Sequence, residues 1–330
     1  MSKTLFLILR FCFLPLLFSA LHVNAQDAPR HTREFSISTA NDAFLIIGDD
    51  IDRFYSFGFG ASLKFRDANI VGLETLFPHK ADFFYEIGFR IEGYTPTDKE
   101  VLDIEIQTNT VSFDRPFAGI TYGVFNVAYA FERSNLKTGV LLGFIGDNSQ
   151  AGDIQAWVHE NITNDEVFKE EWKFQVPNQL LFNLNIAYAY DFLPRSKWVD
   201  IFGTADAQVG NLFINATPKM GLRLGKFKSI SKSIGFDNTI LSDNTGFELF
   251  LQSTISGTVN IFDATAQGNI FNNDFKYAVT DLNTFHSTIT HSIYGAYGRF
   301  SLGYEQYFTT GKTLRNAQHS YARLVLRYKF

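Results

Sequence analysis

The chain holds one cysteine, Cys12, among 330 residues, and a single thiol cannot build a disulfide framework. Beyond Ala25 there is no apolar run of the roughly 20 residues that a membrane-spanning helix needs, so a bundle of such helices is excluded. There is no basic block, and the formal net charge of -5 is spread along the chain. Nucleic acid is therefore not an expected partner. Common catalytic signatures are missing too. No G-x-S-x-G elbow or phosphate-binding glycine loop occurs, and HENIT at His159 lacks the second histidine of a zinc-protease helix. Methionine and proline are sparse, at 2 and 8 residues. What the chain does have is aromatic residues, 36 Phe and 14 Tyr, with a mean hydropathy near zero. That profile suits a wall that turns alternate residues to lipid.

Residues 1–25 begin with Lys3, run through LFLILRFCFLPLLFSA and close on Val23-Asn24-Ala25. A charged start, an apolar stretch and a small residue before a cleavage point read as a secretion signal. Arg10 and Pro15 interrupt the run and weaken the reading as an anchor. Cys12 falls inside this segment, without the small residues that precede a lipidated cysteine, so the mature chain 26–330 is expected to have no thiol chemistry.

If the mature chain enters a membrane, it must do so with strands, and the periodicity agrees. Phe57, Phe59, Ala61, Leu63 and Phe65 alternate with Gly58, Gly60, Ser62 and Lys64. Phe83 to Ile91 and Phe182 to Tyr190 repeat the pattern. A soluble β-sandwich alternates in the same way. The C-terminus YARLVLRYKF tilts the balance, because a last strand ending on an aromatic, Phe330, resembles the signal read by the barrel assembly machinery of bacterial outer membranes. About twelve strand-like segments are found, near 35–45, 55–66, 82–93, 119–132, 137–145, 180–193, 199–212, 214–226, 246–260, 283–295, 298–309 and 319–330. The expected fold is thus all-β, one transmembrane antiparallel β-barrel of an even number of strands. The polar intervals 94–114, 146–178, 227–245 and 261–280 read as loops outside the membrane, and no second domain is visible.

Polar residues stand in unusual places. Asn41-Asp42 falls in what reads as the middle of the first strand. A short helix is expected where GDNSQAGDIQAWVHENI interrupts the strand pattern, with Gln155 and His159 four apart on one face. Ile154, Trp157, Val158 and Asn161 form a neighbouring stripe expected to press on the barrel.

Asn41-Asp42, Asp52 to Gly58, Arg115-Pro116-Phe117-Ala118-Gly119, Gly146, Gln155 with His159, then Trp172, Gln175 and Asn178 follow in order through the first half of the mature chain. In order and spacing these motifs resemble the outer-membrane lipid A 3'-O-deacylase family. The resemblance implies a twelve-stranded barrel with its active site near the outer leaflet, between the wall and a short helix that carries the catalytic histidine. It implies a Ca²⁺-dependent esterase that removes the 3'-linked acyl chains of lipid A in lipopolysaccharide. The residues it carries over are Asn41, Asp42, Ser56, Gln155 and His159, with an acidic residue after the helix, Asp165 or Glu166. Ser56 stands where threonine is commoner, which keeps the hydroxyl, and Asp147 stands where proline usually follows Gly146. Of a basic pair that some members place after the third strand, only Lys99 is present, as a candidate substrate contact.

The chemistry agrees with those roles. A neutral histidine can take a proton from water as that water attacks an ester carbonyl. Asp42 either orients the imidazole or, with Glu166, holds Ca²⁺, a hard cation that prefers oxygen ligands and stabilises an oxyanion. The sequence leaves both roles open. Arg53 and Arg115 read as structural, paired with Asp52 or Asp114. Two other readings remain at this point: a barrel without turnover, channel or structural, and an esterase acting on glycerophospholipid with the same site.

Overall fold

Alternation of large apolar with small or polar residues produces twelve antiparallel strands. They are β1 (Arg33–Asn41), β2 (Phe54–Phe65), β3 (Asp82–Thr95), β4 (Ala118–Ala130), β5 (Ser134–Ile145) and β6 (Gln179–Asp191) in the first half. The second half holds β7 (Val199–Gly210), β8 (Phe213–Lys226), β9 (Phe247–Asp263), β10 (Phe285–Tyr297), β11 (Phe300–Thr309) and β12 (His319–Lys329). The structure is a computed structural model, and it describes residues 31–48, 54–66, 70, 72–96, 114–163, 171–194, 196, 198–243, 246–272, 274–280, 282–312 and 318–330. The expected signal segment 1–25 lies outside the described residues.

Each strand pairs with its sequence neighbours, and β1 closes on β12 with Phe35 opposite Tyr328 and Asn41 opposite Ala322. The sheet is a closed barrel, so the twelve strands leave no edge unpaired. Strand period decides the two faces. Phe35, Ile37, Phe59, Phe89, Leu142, Phe144, Phe182 and Leu184 are exposed on the outside. Ser36, Ser38, Gly60, Ser62, Glu86, Arg90 and Asn126 line an inner cavity of about 810 Å³. A greasy exterior around a polar interior suits hydrocarbon outside and water within, and it rules out the β-sandwich reading.

The end of the barrel that holds Arg33 and Lys329 also holds the short connections 131–133 and 298–299. Outer-membrane barrels keep short turns on the periplasmic side and long loops outside, so this end is periplasmic. β3 ends and β4 begins at the opposite, extracellular end, and the described parts of the intervals 146–178 and 261–280 lie there too, as expected of loops beyond the membrane. The interval 227–245 does not fit that expectation. Its described residues, 227–243, leave the periplasmic end and fold back into the lumen. There Asp237 Oδ1 accepts from Lys64 Nζ of β2 at 2.5 Å and from Arg327 Nε of β12 at 2.9 Å, and its Oδ2 accepts from Lys137 Nζ of β5 at 3.0 Å. Phe236 meets the Phe202 ring of β7, while Ile234 packs with Phe250 of β9 and Tyr294 of β10. One loop thus reaches strands all around the wall and plugs the lumen. The cause is charge: three cations face inward at this level, Glu34 pairs with Lys64 at 2.9 Å and Glu86 with Lys137 at 2.7 Å, and the loop adds one more carboxylate, Asp237, that all three cations share.

Candidate functional site

β1 does not run through Asn41-Asp42 as the sequence pattern suggests. Asn41 is its last residue, and Asp42–Phe44 form a 3-10 turn. Asn41 Oδ1 accepts from the Ala43 backbone N–H at 2.7 Å, which caps that turn, while Asn41 Nδ2 donates to the Ser56 carbonyl at 2.6 Å. Asparagine and aspartate compete with sheet hydrogen bonding through such local contacts, so the pair ends the strand. Asp42 is buried, and its Oδ1 also accepts from the Ala43 N–H, at 3.0 Å.

Ser56 reaches this corner through a β-bulge. Tyr55 pairs with Tyr94 and Phe57 with Gly93, which leaves Ser56 as the extra residue. Tyr55 and Tyr94 face the lumen, and the Phe57 ring lies over Gly93 where a Cβ would overlap it. Plain alternation would have turned Ser56 inward with Gly58. The bulge instead sets its Oγ 2.6 Å from Thr95 Oγ1, on the Gly93 face of β3. Thr95 joins the candidate site, and sequence reasoning missed it, because neither the bulge nor the partner of Ser56 is visible in the pattern.

After β5 the chain turns at Gly146, whose φ of 91° places it in the left-handed region. A Cβ there would sit 2.7 Å from the Val176 carbonyl oxygen. Asn178 Oδ1 accepts from Asn148 N–H at 2.8 Å, so the Gly146 and Asn178 motifs serve to fold this turn. Asp147–Ser149 make a 3-10 turn, and the helix α1 (Ala151–Val158) follows, continued by a π-helical turn, His159–Thr163.

Helix α1 packs against β3 and β4 from outside the barrel. A Cβ on Gly119 would overlap Ser149 Oγ and lie 2.6 Å from Ala151 Cβ, and Thr121 Oγ1 donates to the Ser149 carbonyl at 2.7 Å. Trp172 closes the far side, with its ring 5.3 Å from Phe117 and against Gly152, where a Cβ would come within 2.8 Å. Contact this close requires small residues. The buried helix face is accordingly Ala151, Gln155 and Ala156. The stripe of Ile154, Trp157, Val158 and Asn161 does not press on the barrel: Ile154, Trp157 and Asn161 are exposed and Val158 is half-buried.

Trp172 Nε1 donates to Gln155 Oε1 at 2.9 Å. Gln155 is only 4% exposed, and among the described residues its Nε2 finds no hydrogen-bond partner. His159 stands one turn on, half-buried, where α1 gives way to the π-helical turn, its backbone N–H bound to the Gln155 and Ala156 carbonyls. Such turns recur at functional sites.

The structure therefore brings Asn41, Ser56 and Thr95 into one hydrogen-bonded chain beside Asp42, at the extracellular ends of β1 to β3. It places Gln155 and His159 on a helix clamped to the outer face of β3 and β4. Lys99, Arg53, Asp52, Asp165 and Glu166 lie outside the described residues. Arg115 is buried. Its guanidinium lies 4.3 Å from the centre of the Tyr94 ring and donates to Thr265 Oγ1. Among the described residues no group of three or more His, Cys, Asp or Glu is placed to hold a metal. The buried carboxylate of Asp42 is an oxygen donor of the kind that suits a hard cation.

The family model described as outer membrane protein LpxR matches residues 9–330. Among solved structures, LpxR from Salmonella typhimurium superposes with a TM-score of 0.69 at 16% identity, covering 90% of this chain and 100% of that one. The β domain of the Bordetella autotransporter BrkA gives a TM-score of 0.41 at 9% identity, over 92% of this chain and 100% of that one. The translocator domain of the autotransporter NalP from Neisseria meningitidis gives 0.40 at 10%, over 100% and 98%. No curated protein matches the sequence.

Proposed function

Because the chain belongs to the LpxR outer membrane protein family and is a barrel of that membrane, we propose that it is a lipid A 3'-O-deacylase. It hydrolyses the ester of the 3'-linked acyl chains in the outer leaflet. The observation that carries this reading is the clamp of α1 on the outer wall. It holds the helix that buries Gln155 and leads into His159 on the outer face of β3 and β4, at the same end of the barrel as the Asn41–Ser56–Thr95 chain on β1 to β3.

On this reading the His159 imidazole takes a proton from water as the oxygen attacks the ester carbonyl, then returns it to the departing sugar hydroxyl. Gln155, its Oε1 held by Trp172, turns Nε2 toward the reacting group. Asn41 and Ser56 keep the corner rigid, so Asp42 holds its place. A Ca²⁺ ion, bound by Asp42 and Glu166, would supply positive charge to the developing oxyanion. Lys99 would meet a lipid A phosphate.

The loop that plugs the lumen through Asp237 favours this reading over a channel. The esterase acting on glycerophospholipid is separated by experiment. The purified, folded barrel is given lipid A and phosphatidylethanolamine in the same mixed micelles, and free fatty acids are analysed. Fatty acid released from lipid A alone supports the proposal, and release from the glycerophospholipid alone overturns it.

A further inference from the structure

The exposed half of α1 is divided in a way that its place on the wall explains. At 3.6 residues per turn, Ile154 and Trp157 are three apart and share one edge, with Val158 beside them. Asp153 is exposed on the neighbouring edge, Glu160 is exposed just beyond in the π-helical turn, and Gln155 is buried against the wall. Trp157 is 57% exposed and Ile154 39%, and both acids are exposed. A helix standing free in water has no use for an exposed Trp–Ile edge. A helix lying along a bilayer surface does, because its apolar edge enters the acyl region while the charged edge stays among the head groups. Tryptophan in particular favours that boundary.

The position of α1 makes the same point. The helix follows β5 after the turn 146–150, the outward Leu142 and Phe144 of β5 are exposed on the barrel's outer face, and the helix packs on the outside of β3 and β4. Its apolar edge therefore continues the hydrocarbon-facing surface of the barrel. The β1–β2 loop across the corner adds exposed Ile46 and Ile47.

We propose that α1 is an interfacial helix whose Ile154–Trp157 edge beds among the acyl chains of the outer leaflet, so that a lipid ester enters the Gln155–His159 side from the membrane. The occupant of this edge is leaflet hydrocarbon. The step that calls the lipid a substrate rests on the deacylase reading. The insertion of the helix does not.

The chain has three tryptophans. Trp172 is buried, while Trp198 is exposed at the periplasmic end, and Trp198→Phe removes its signal. The folded Trp198→Phe barrel is reconstituted into vesicles of phosphatidylcholine brominated on the acyl chain close to the ester. The expected result is strong quenching of tryptophan emission that is lost when Trp157→Phe is added, together with little quenching by aqueous iodide. Quenching by iodide but not by bromolipid overturns the proposal and puts the edge in water. Shielding from both, with a cross-linked dimer, also overturns it and assigns the edge to a second copy. No turnover is needed, so an inactive enzyme and an uninserted helix are separate outcomes.

Discussion

Trp172 donates its indole N–H to Gln155 Oε1 at 2.9 Å, reaching the helix from a segment beyond it in sequence. This bond decides which end of the Gln155 amide is left to the site. Trp172→Phe keeps a ring against Phe117 and Gly152 but removes the donor, so the amide is free to turn. Loss of one buried hydrogen bond is worth about 1 to 3 kcal/mol, and ester cleavage is expected to fall roughly tenfold or more, with heat-modifiable migration retained. Unchanged turnover would show that the orientation of Gln155 does not matter.

The seat of α1 on the wall is the second testable feature. Gly119→Val places carbon where Ser149 Oγ and Ala151 already stand, and the helix must lift. The expected result is a folded barrel without esterase activity, with tryptophan emission shifted to the red as Trp172 becomes wet. A Gly119→Val variant of full activity would mean that the helix is not clamped there.

The plug gives a prediction in pH. Burial alone would raise the Asp237 pKa, but Lys64, Lys137 and Arg327 outweigh it and hold the carboxyl well below the usual aspartate range. A depressed acid contributes stability that is complete above its unfolded pKa, about 3.9. That stability is lost only as pH falls through the lower folded value. The barrel is therefore expected to stay electrically silent in a planar bilayer from neutral pH down to about 4, while Asp237→Ala conducts at neutral pH. A wild-type barrel that conducts at pH 7, or an Asp237→Ala barrel as silent as the parent, contradicts the latch.

How much of this could be read beforehand depends on whether a pattern or a partner carried the information. Strand alternation is a local property, so β3 at Asp82–Thr95 and β7 at Val199–Gly210 fall within a few residues of the segments 82–93 and 199–212. The corner at Asn41 is misread because a capping side chain looks like any strand residue until its acceptor, the Ala43 N–H, is known. The face of α1 is misread for a related reason. Apolar Ile154 and Trp157 look like packing residues, but a wall with Gly119 admits only Ala151 and its small neighbours. The plug and Thr95 depend on contacts far apart in sequence, Asp237 with Lys64 and Thr95 with Ser56, which a single sequence does not display.

Metal dependence follows from the proposed role of Asp42. Hydrolysis of lipid A by the folded barrel is expected to vanish in a calcium chelator and to return with added Ca²⁺. Asp42→Asn, which keeps an acceptor for the Ala43 N–H but loses the charge, should need more Ca²⁺ for half-maximal rate. Activity undiminished in chelator would take the cation out of the mechanism.

The most direct test of the central claim is the mass spectrum of lipid A from Gram-negative cells that express the chain, set beside cells expressing His159→Ala at equal levels in the outer membrane. The account predicts lipid A lighter by its 3'-linked acyl chains with the native protein and unmodified lipid A with His159→Ala, a loss of at least about a hundredfold in turnover on removing a general base. Lipid A of the same mass in both strains, or equal deacylation by both proteins, would contradict it.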